Sequence, residues 1–181
     1  MSLGDDFKKI ICPLPADAAI PSADQEVLST RMDPGQMSPL SLISKPNGEK
    51  AFGVIVDAKT NPWMGITDMD GNPVVCRGIK FEAHYIDWSH RPGTPRITTL
   101  CPDGSGRAGS GWHYRFCPRL TLVVGINGVQ CSAPNPCDNP RDVFSVAGPG
   151  LLTMAFNDYS AAGSYKNNDG AGIAFILAIY T

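Results

Sequence analysis

The sequence has few charged residues and no cluster of either sign. Charged side chains make up 18% of the 181 residues, and the formal net charge is -2. Domains that bind nucleic acids carry clustered Lys and Arg, and no basic patch is visible here, so we expect no nucleic-acid partner. The chain is long enough for one domain with an extension and can bury a core.

No apolar run is long enough to span a bilayer, and we therefore expect no membrane insertion. The first residues, MSLGDDFKKIICPLP, place acids before lysines and contain no apolar segment of the secretory type. This pattern predicts synthesis in the cytoplasm without a signal peptide. It leaves open a later release to act outside the cell.

The cysteines do not have the paired CxxC spacing of a zinc site. Without a secretory signal, buried free thiols are the expected state of all six. One alternative remains: Cys131 and Cys137 flank the short stretch SAPNP, and a disulfide between them would close a small loop. The six are Cys12, Cys76, Cys101, Cys117, Cys131 and Cys137.

The sequence also has little helical periodicity, whereas its 19 glycines and 16 prolines are spread along the chain. This composition favours short elements joined by turns, hence an all-β fold. Residues 1–48 are rich in proline and predict an irregular N-terminal arm. Within the arm, residues 24–32 could form a short helical stretch, and the arm could supply an edge strand.

Residues 49–181 contain several strand-like segments bounded by Gly, Pro or Asn, which predict a β-sandwich or jelly roll. In GIKFEAHYI the apolar Ile79 and Phe81 alternate with Lys80 and Glu82, as in a half-buried strand. RLTLVVGI ends at Asn127-Gly128, a hairpin signal. The other predicted strands are AFGVIVD, VFSV, LLTMAF and AGIAFILAIY.

The final segment, IAFILAIY, does not alternate, so both of its faces should be buried. Such a strand is either central in its sheet or part of a subunit interface. An exposed apolar face would favour association. We therefore expect a homo-oligomer, a dimer or a tetramer, in which Phe175, Leu177 or Ile179 is buried between chains.

A loop rich in oxygen-bearing side chains, FNDYSAAGSYKNNDG, occupies residues 156–170 between two apolar segments. Calcium prefers six to eight oxygen ligands from carboxylates, amides and backbone carbonyls, and such a loop can supply several. The spacing is not that of an EF-hand. Two interpretations remain from composition: a calcium site, or a hairpin whose Asn and Asp residues cap the turn.

The loop and its flanking strands resemble the calcium- and sugar-binding segment of the LecA-like galactose-binding lectins of bacteria. The family's Asn-Asp pair, Gly-Ser/Thr-Tyr step and Asn-Asn-x-Gly stretch stand here as Asn157-Asp158, Gly163-Ser164-Tyr165, and Asn167-Asn168 with Gly170. The resemblance continues through CPDGSG, WHYRFCPRLTLVVGINGV and GIKFEAHYIDWSHRPG, and covers residues 49–181. It implies a β-sandwich of the galactose-binding-like type.

The resemblance implies one Ca²⁺ ion and a galactose-type glycan bound to it through the 3- and 4-hydroxyls. Implied calcium ligands are the Asp158 carboxylate, side-chain oxygens of Asn167 and Asn168, and backbone carbonyls of Ser164 and Trp88. The implied sugar-binding residues are Asp158, Tyr159, Ser164, Asn167, Pro102, Asp103, Trp88 and His90.

The sequence departs from the family pattern at several of these positions. The loop after Asp158 is longer by two residues, and Tyr159 replaces a small apolar residue. Cys101 and Gly104 stand where the family has polar contacts to the primary hydroxyl of the sugar. We expect galactose affinity to be weaker than in the family, or differently selective.

The sequence contains no recognisable catalytic motif. The three histidines fit no catalytic or metal motif with the cysteines, and no paired carboxylates stand out. DMDGNP at residues 68–73 resembles the start of a calcium loop but lacks the EF-hand glutamate, so it predicts a plain turn. We expect a non-catalytic calcium-dependent lectin. The alternative is a structural or attachment β-sandwich module with a stabilising calcium and no sugar site.

Overall fold

The structure is a computed structural model that describes residues 3–17, 36–59, 64–91, 93–96, 120–126, 129–130, 143–158 and 164–181. These residues form one short α-helix, one 3₁₀ helix and ten β-strands. The expected all-β, sandwich-type fold is confirmed.

Of the two short helices in the described residues, one precedes all ten strands and the other precedes the last strand. Helix α1 spans Leu3–Lys9, and the 3₁₀ helix spans Ser164–Asn167. The strands are β1 Ile11–Cys12, β2 Gln36–Pro39, β3 Ser41–Ser44, β4 Lys50–Asp57, β5 Met64–Thr67, β6 Val75–Ser89, β7 Leu122–Ile126, β8 Val129–Gln130, β9 Val143–Phe156 and β10 Asp169–Tyr180.

The ten strands belong to one large sheet that nearly closes on itself. Its main strand order is β2-β5-β9-β6-β10-β4-β3, and β7 pairs with both β8 and β9. All pairings are antiparallel except those of β1 with β10 and of β2 with β5. The inner faces enclose a core that includes Val54, Ile66, Val124, Met154 and Ile176.

The N-terminal arm contributes structure to this sheet at three places. Strands β2 and β3 occupy the two ends of the main strand order, so the arm does supply edge strands. Strand β1 pairs with the end of β10, where Ile179 N donates to Ile10 O at 2.7 Å. Residues 45–49, where we expected the lectin-like domain to begin, form the turn between β3 and β4. The expected helical stretch at 24–32 lies outside the described residues.

Strand β6 is buried on both faces at its centre, which differs from the predicted alternation. Phe81 is 5% exposed and Glu82 is 8% exposed. The register between β6 and β10 shifts at two irregularities, which interrupts a strict period of two. Lys45 lies over this region with its Nζ 3.8 Å from the Glu82 carboxylate. The expectation that Glu82 faces solvent was therefore wrong.

Strand β9 joins two segments that the sequence predicted as separate strands. VFSV and LLTMAF are continuous through Gly148-Pro149-Gly150. The pairing of β6 with β9 contains a bulge at this point. One residue of β6 lies between Cys76 and Gly78, whereas four residues of β9 lie between their partners Gly150 and Ser145. Proline is tolerated at such a bulge because its missing N–H removes no ladder hydrogen bond.

Strand β10 lies between β6 and β4, so the central position is the alternative that the fold realises. Phe175 and Ile179 are each 2% exposed within a single chain. Leu177, the third residue of that expectation, is only partly buried, so the apolar pattern of β10 is largely but not fully satisfied within one chain. The homo-oligomer stays a prediction. Because Phe175 and Ile179 are already buried within one chain, they give no reason to expect a subunit interface.

Cys76 lies in the core with 1% of its surface exposed, and Cys12 is partly buried. Both are free, as expected, and the other four cysteines lie outside the described residues. Burial raises the pKa of the Cys76 thiol to about 12, against a smaller opposing effect of the Gly78 backbone hydrogen bond. A thiol is reactive as its thiolate, so the folded chain should protect this residue.

We predict that Cys76 of the native protein is not alkylated by iodoacetamide at pH 8. With a pKa of about 12, only about one thiol in ten thousand is ionised at that pH. Peptide mapping by mass spectrometry measures the modification at each cysteine. The same protein in urea is the control and should be modified at Cys76. Rapid native modification of Cys76 would contradict its place in the core.

Candidate calcium and sugar site

Three separate segments meet near the end of β6. Trp88 pairs with Gly170 and Ser89 pairs with Asp169, which brings the end of β6 beside the start of β10. The indole ring of Trp88 lies 4.7 Å from the Phe156 ring, centroid to centroid. Phe156 ends β9 and lies two residues before Asp158. The fold therefore places the segments that carry Trp88, Asp158 and Asn168 around one region.

Asn168 has a buried oxygen without a hydrogen-bond partner. The residue is 1% exposed, and its Nδ2 donates to Ala58 O at 2.8 Å. This bond defines the orientation of the amide, because only the nitrogen can donate to a carbonyl. Within the residues that the structure describes, the buried Oδ1 accepts no hydrogen bond. An unsatisfied buried acceptor costs about 1–3 kcal/mol, so this atom requires a partner such as an ion or a water molecule.

Asp158 is 4% exposed, and a carboxylate at that depth requires compensating contacts. The preceding Asn157 is fully buried and anchors the segment to the start of β7. Its N–H donates to Thr121 O at 2.8 Å, and its carbonyl accepts from Leu120 N at 2.8 Å. The Asn-Asp pair of the motif thus has two functions: one residue anchors the backbone and the other carries the charge.

Trp88 is fully buried, and its ring belongs to the core with Phe156. Its Nε1 is also buried and has no hydrogen-bond partner among the described parts of the chain. The indole is therefore not an exposed platform for a sugar ring, so an implied sugar-binding role of Trp88 cannot rest on an exposed ring face. The backbone carbonyl is the group through which Trp88 could take part in the site.

An open cleft of about 390 Å³ lies beside these segments. Asn167 is exposed in it, and Asn168 contributes to its wall. Asp158 is not among the described residues of its lining. The described lining residues are Lys59, Ser89, Gly93, Thr94, Arg96, Lys166, Asn167, Asn168 and Asp169.

Other predicted site residues are only partly described. Ser164 begins the 3₁₀ helix, so its backbone is placed four residues before Asn168. His90 follows β6 directly, is partly buried, and has a buried Nδ1 without a partner. Tyr159, Pro102 and Asp103 lie outside the described residues, as do Cys101 and Gly104.

Arg96 links two strands at the edge of the cleft, and the sequence did not reveal this role. Its Nε donates to Asp87 Oδ1, its Nη2 donates to Asp87 O at 3.0 Å, and its Nη1 donates to Asp169 Oδ2 at 3.1 Å. The hydrogen bonds to Asp87 and then to Asp169 raise the pKa of the Arg96 guanidinium. Arg96 and Asp169 are 73 residues apart in the chain, so no local signal could have paired them.

Gly170 is required by close approach at the same place. Its φ is +98°, in the left-handed region that favours glycine. A Cβ there would lie 2.2 Å from Asp87 O, 2.7 Å from Arg96 Nη2 and 2.8 Å from Trp88 Cα. The glycine of the Asn-Asn-x-Gly stretch therefore allows β10 to start against β6.

We predict that Gly170→Ala destabilises the protein by about 2–4 kcal/mol, because a steric clash adds to the unfavourable φ. The matched control is Gly71→Ala. Gly71 has a φ of +85° but nothing within 4 Å of its added Cβ, so it should cost about 1–2 kcal/mol. Urea denaturation measures both. Equal costs would show that the contact with Asp87 and Trp88 is not tight.

The second loop that resembled a calcium site forms the predicted turn. Asp68 Oδ1 accepts hydrogen bonds from Asp70 N at 2.9 Å and Asn72 N at 2.8 Å. Burial acts to raise the pKa of Asp68, but these bonds and those from the Asn72 side chain and Gly71 outweigh it and lower that pKa. Its carboxylate is therefore engaged in closing the turn between β5 and β6.

No three His, Cys, Asp or Glu side chains cluster in a metal-binding arrangement within the part of the chain that the structure describes. A cation at the candidate site would thus depend on one carboxylate together with amide and carbonyl oxygens.

None of the described helices is sufficiently long and apolar to cross a bilayer.

Comparison of the chain with protein-family models, with curated proteins and with solved structures found no match. The likeness to the galactose-binding lectins therefore consists of the motif residues and their order along the chain.

Proposed function

We propose that this protein is a non-catalytic, calcium-dependent carbohydrate-binding protein. The observation that carries the proposal is the orphaned Oδ1 of Asn168, held in a buried position beside an open cleft. The Asn167-Asn168 pair and the buried Asp158 are the residues that the lectin resemblance selects as calcium ligands. The fold brings their segments into one region, which supports this assignment.

The donor set fits calcium in its chemistry. Calcium accepts six to eight oxygen ligands, and the proposed set offers the Asp158 carboxylate, two asparagine amides and the carbonyls of Ser164 and Trp88. Five such groups leave room for waters or for two adjacent hydroxyls of a sugar. A bound calcium ion would supply the positive centre to which those hydroxyls bind.

The chain holds these donors in place by contacts outside the ion itself. The Nδ2 of Asn168 is bound to Ala58 O, and Ala58 N donates to Gly170 O at 3.0 Å. On the other side, Asn157 ties the Asp158 segment to Thr121. Donors fixed by such supporting contacts lose little entropy on binding, which favours affinity for a small ligand.

The proposed ligand is a galactose-type glycan, with selectivity altered by Cys101 and Gly104. Association into a dimer or tetramer would raise the avidity of weak single sites. A second candidate is a structural or attachment module in which calcium stabilises the fold without sugar. The N-terminal arm favours this candidate, because its strands β1, β2 and β3 extend the sheet beyond the lectin-like region.

We predict that the protein binds one calcium ion per chain and that Asp158→Asn weakens this binding at least tenfold. The substitution keeps the side-chain shape but removes the only carboxylate of the proposed set. Isothermal titration calorimetry measures the affinity. Asp70→Asn is the matched control, since Asp70 is an exposed acid in the turn before β6. Unchanged calcium binding in Asp158→Asn would contradict the assignment of Asp158 as a calcium ligand.

A glycan array separates the two candidate functions. The lectin assignment requires glycan binding that is lost when a chelator removes calcium. Calcium binding without any glycan signal would favour the structural module. Chelator-insensitive glycan binding would contradict the role of the ion in sugar recognition, and ordinary tight galactose binding would contradict the altered selectivity.

A further inference from the structure

The described wall of the cleft carries an excess of positive charge. Lys59, Arg96 and Lys166 contribute three cations, whereas Asp169 contributes the one acid. Arg96 is engaged by Asp169 and by Asp87. The charges that remain for a ligand are those of Lys59 and Lys166.

Neither ammonium group has an ion pair within the described residues. The backbone N–H of Lys59 donates to Asp57 Oδ1 at 2.8 Å, which fixes the turn after β4, but the side chain extends from it and is exposed. Lys166 lies in the 3₁₀ helix directly before Asn167 and is also exposed. Two lysines from distant parts of the chain thus line the same cleft as Asn167 and Asn168, two of the proposed calcium ligands.

We propose that the ligand of this cleft is an acidic saccharide, whose carboxylate or sulfate group is bound by Lys59 and Lys166. The inference rests on the proposed function for the calcium ion and for the sugar hydroxyls. The proposed ligand set neutralises one of the two calcium charges through Asp158. The remaining calcium charge and the two lysine charges would be left uncompensated by a neutral sugar. An anionic sugar would complement this positive charge.

The same arrangement couples calcium and sugar binding. Two ammonium groups repel a neighbouring divalent cation, and an anionic group placed between them offsets that repulsion. An acidic saccharide should therefore raise the affinity for calcium, and calcium should raise the affinity for the saccharide by the same factor. A neutral saccharide should give weaker coupling.

Methyl galactoside and methyl galacturonide are the matched probes for this inference. Both have the hydroxyl configuration of galactose, but the second carries a carboxylate in place of the primary hydroxyl. Galactose 6-sulfate distinguishes sulfate from carboxylate as the source of the charge. Titrations at low salt with calcium present should show about tenfold tighter binding of at least one acidic probe than of methyl galactoside.

The variants Lys59→Gln and Lys166→Gln, alone and combined, test the two lysines. The double variant should lose the preference for the acidic probe while its binding of methyl galactoside is retained. Lys50→Gln, at the opposite end of β4 from Lys59, is the control and should leave the preference unchanged. High salt should reduce the preference in the wild type, because exposed charges are screened.

Equal affinity for neutral and acidic probes, or a preference that survives in the double variant, would overturn the proposal, and so would no binding of any probe. Calcium and galactoside binding without an acidic preference would leave the proposed function intact while this inference fails. A lysine-dependent acidic preference without calcium binding would support the anion-binding cleft and contradict the role of calcium.

Discussion

The close approach of β10 to β6 at Gly170 is the constraint on which the candidate site depends. The backbone of Asp87 and Trp88 lies where a Cβ of residue 170 would be, so the strands can meet there only around a glycine. This contact places Asn168 next to Ala58, where its Nδ2 is bound and its Oδ1 is left without a partner. Packing of Trp88 on Phe156 then brings in the segment of Asp158.

Charge divides the site into a neutralised edge and a positive cleft. Arg96 binds Asp87 and Asp169, and this network joins the start of β10 to the end of β6. Lys59 and Lys166 line the same cleft as Asn168, the residue with the orphaned amide oxygen. This combination is the basis for proposing a ligand with both hydroxyl and anionic groups, since hydroxyls would suit the proposed calcium ion and an anion would suit the lysines.

Sequence patterns predicted the strands better than their register or their contacts. β10 could be predicted because an uninterrupted apolar segment requires burial, and most of its apolar side chains are buried, whereas Ile173 and Leu177 are only partly buried. The burial of Glu82 could not, because it follows from irregular pairing and from a lysine outside the strand. At the candidate site, the Asn and Asp motif is the basis for the proposed oxygen donors. The pairing of Arg96 with Asp169 could not be predicted, because it joins residues 73 positions apart. The burial of the Trp88 side chain could not be predicted either, since aromatic residues suit a core and a sugar platform equally well.

The most direct test of the central claim is a crystal structure of the protein grown with calcium, with an anomalous difference map to locate the ion. We expect one peak per chain beside Asn168, about 2.3–2.6 Å from its Oδ1 and from a carboxylate oxygen of Asp158. A map without a peak there at saturating calcium, or with a water molecule bound to Asn168 Oδ1 instead, would contradict the proposed calcium site.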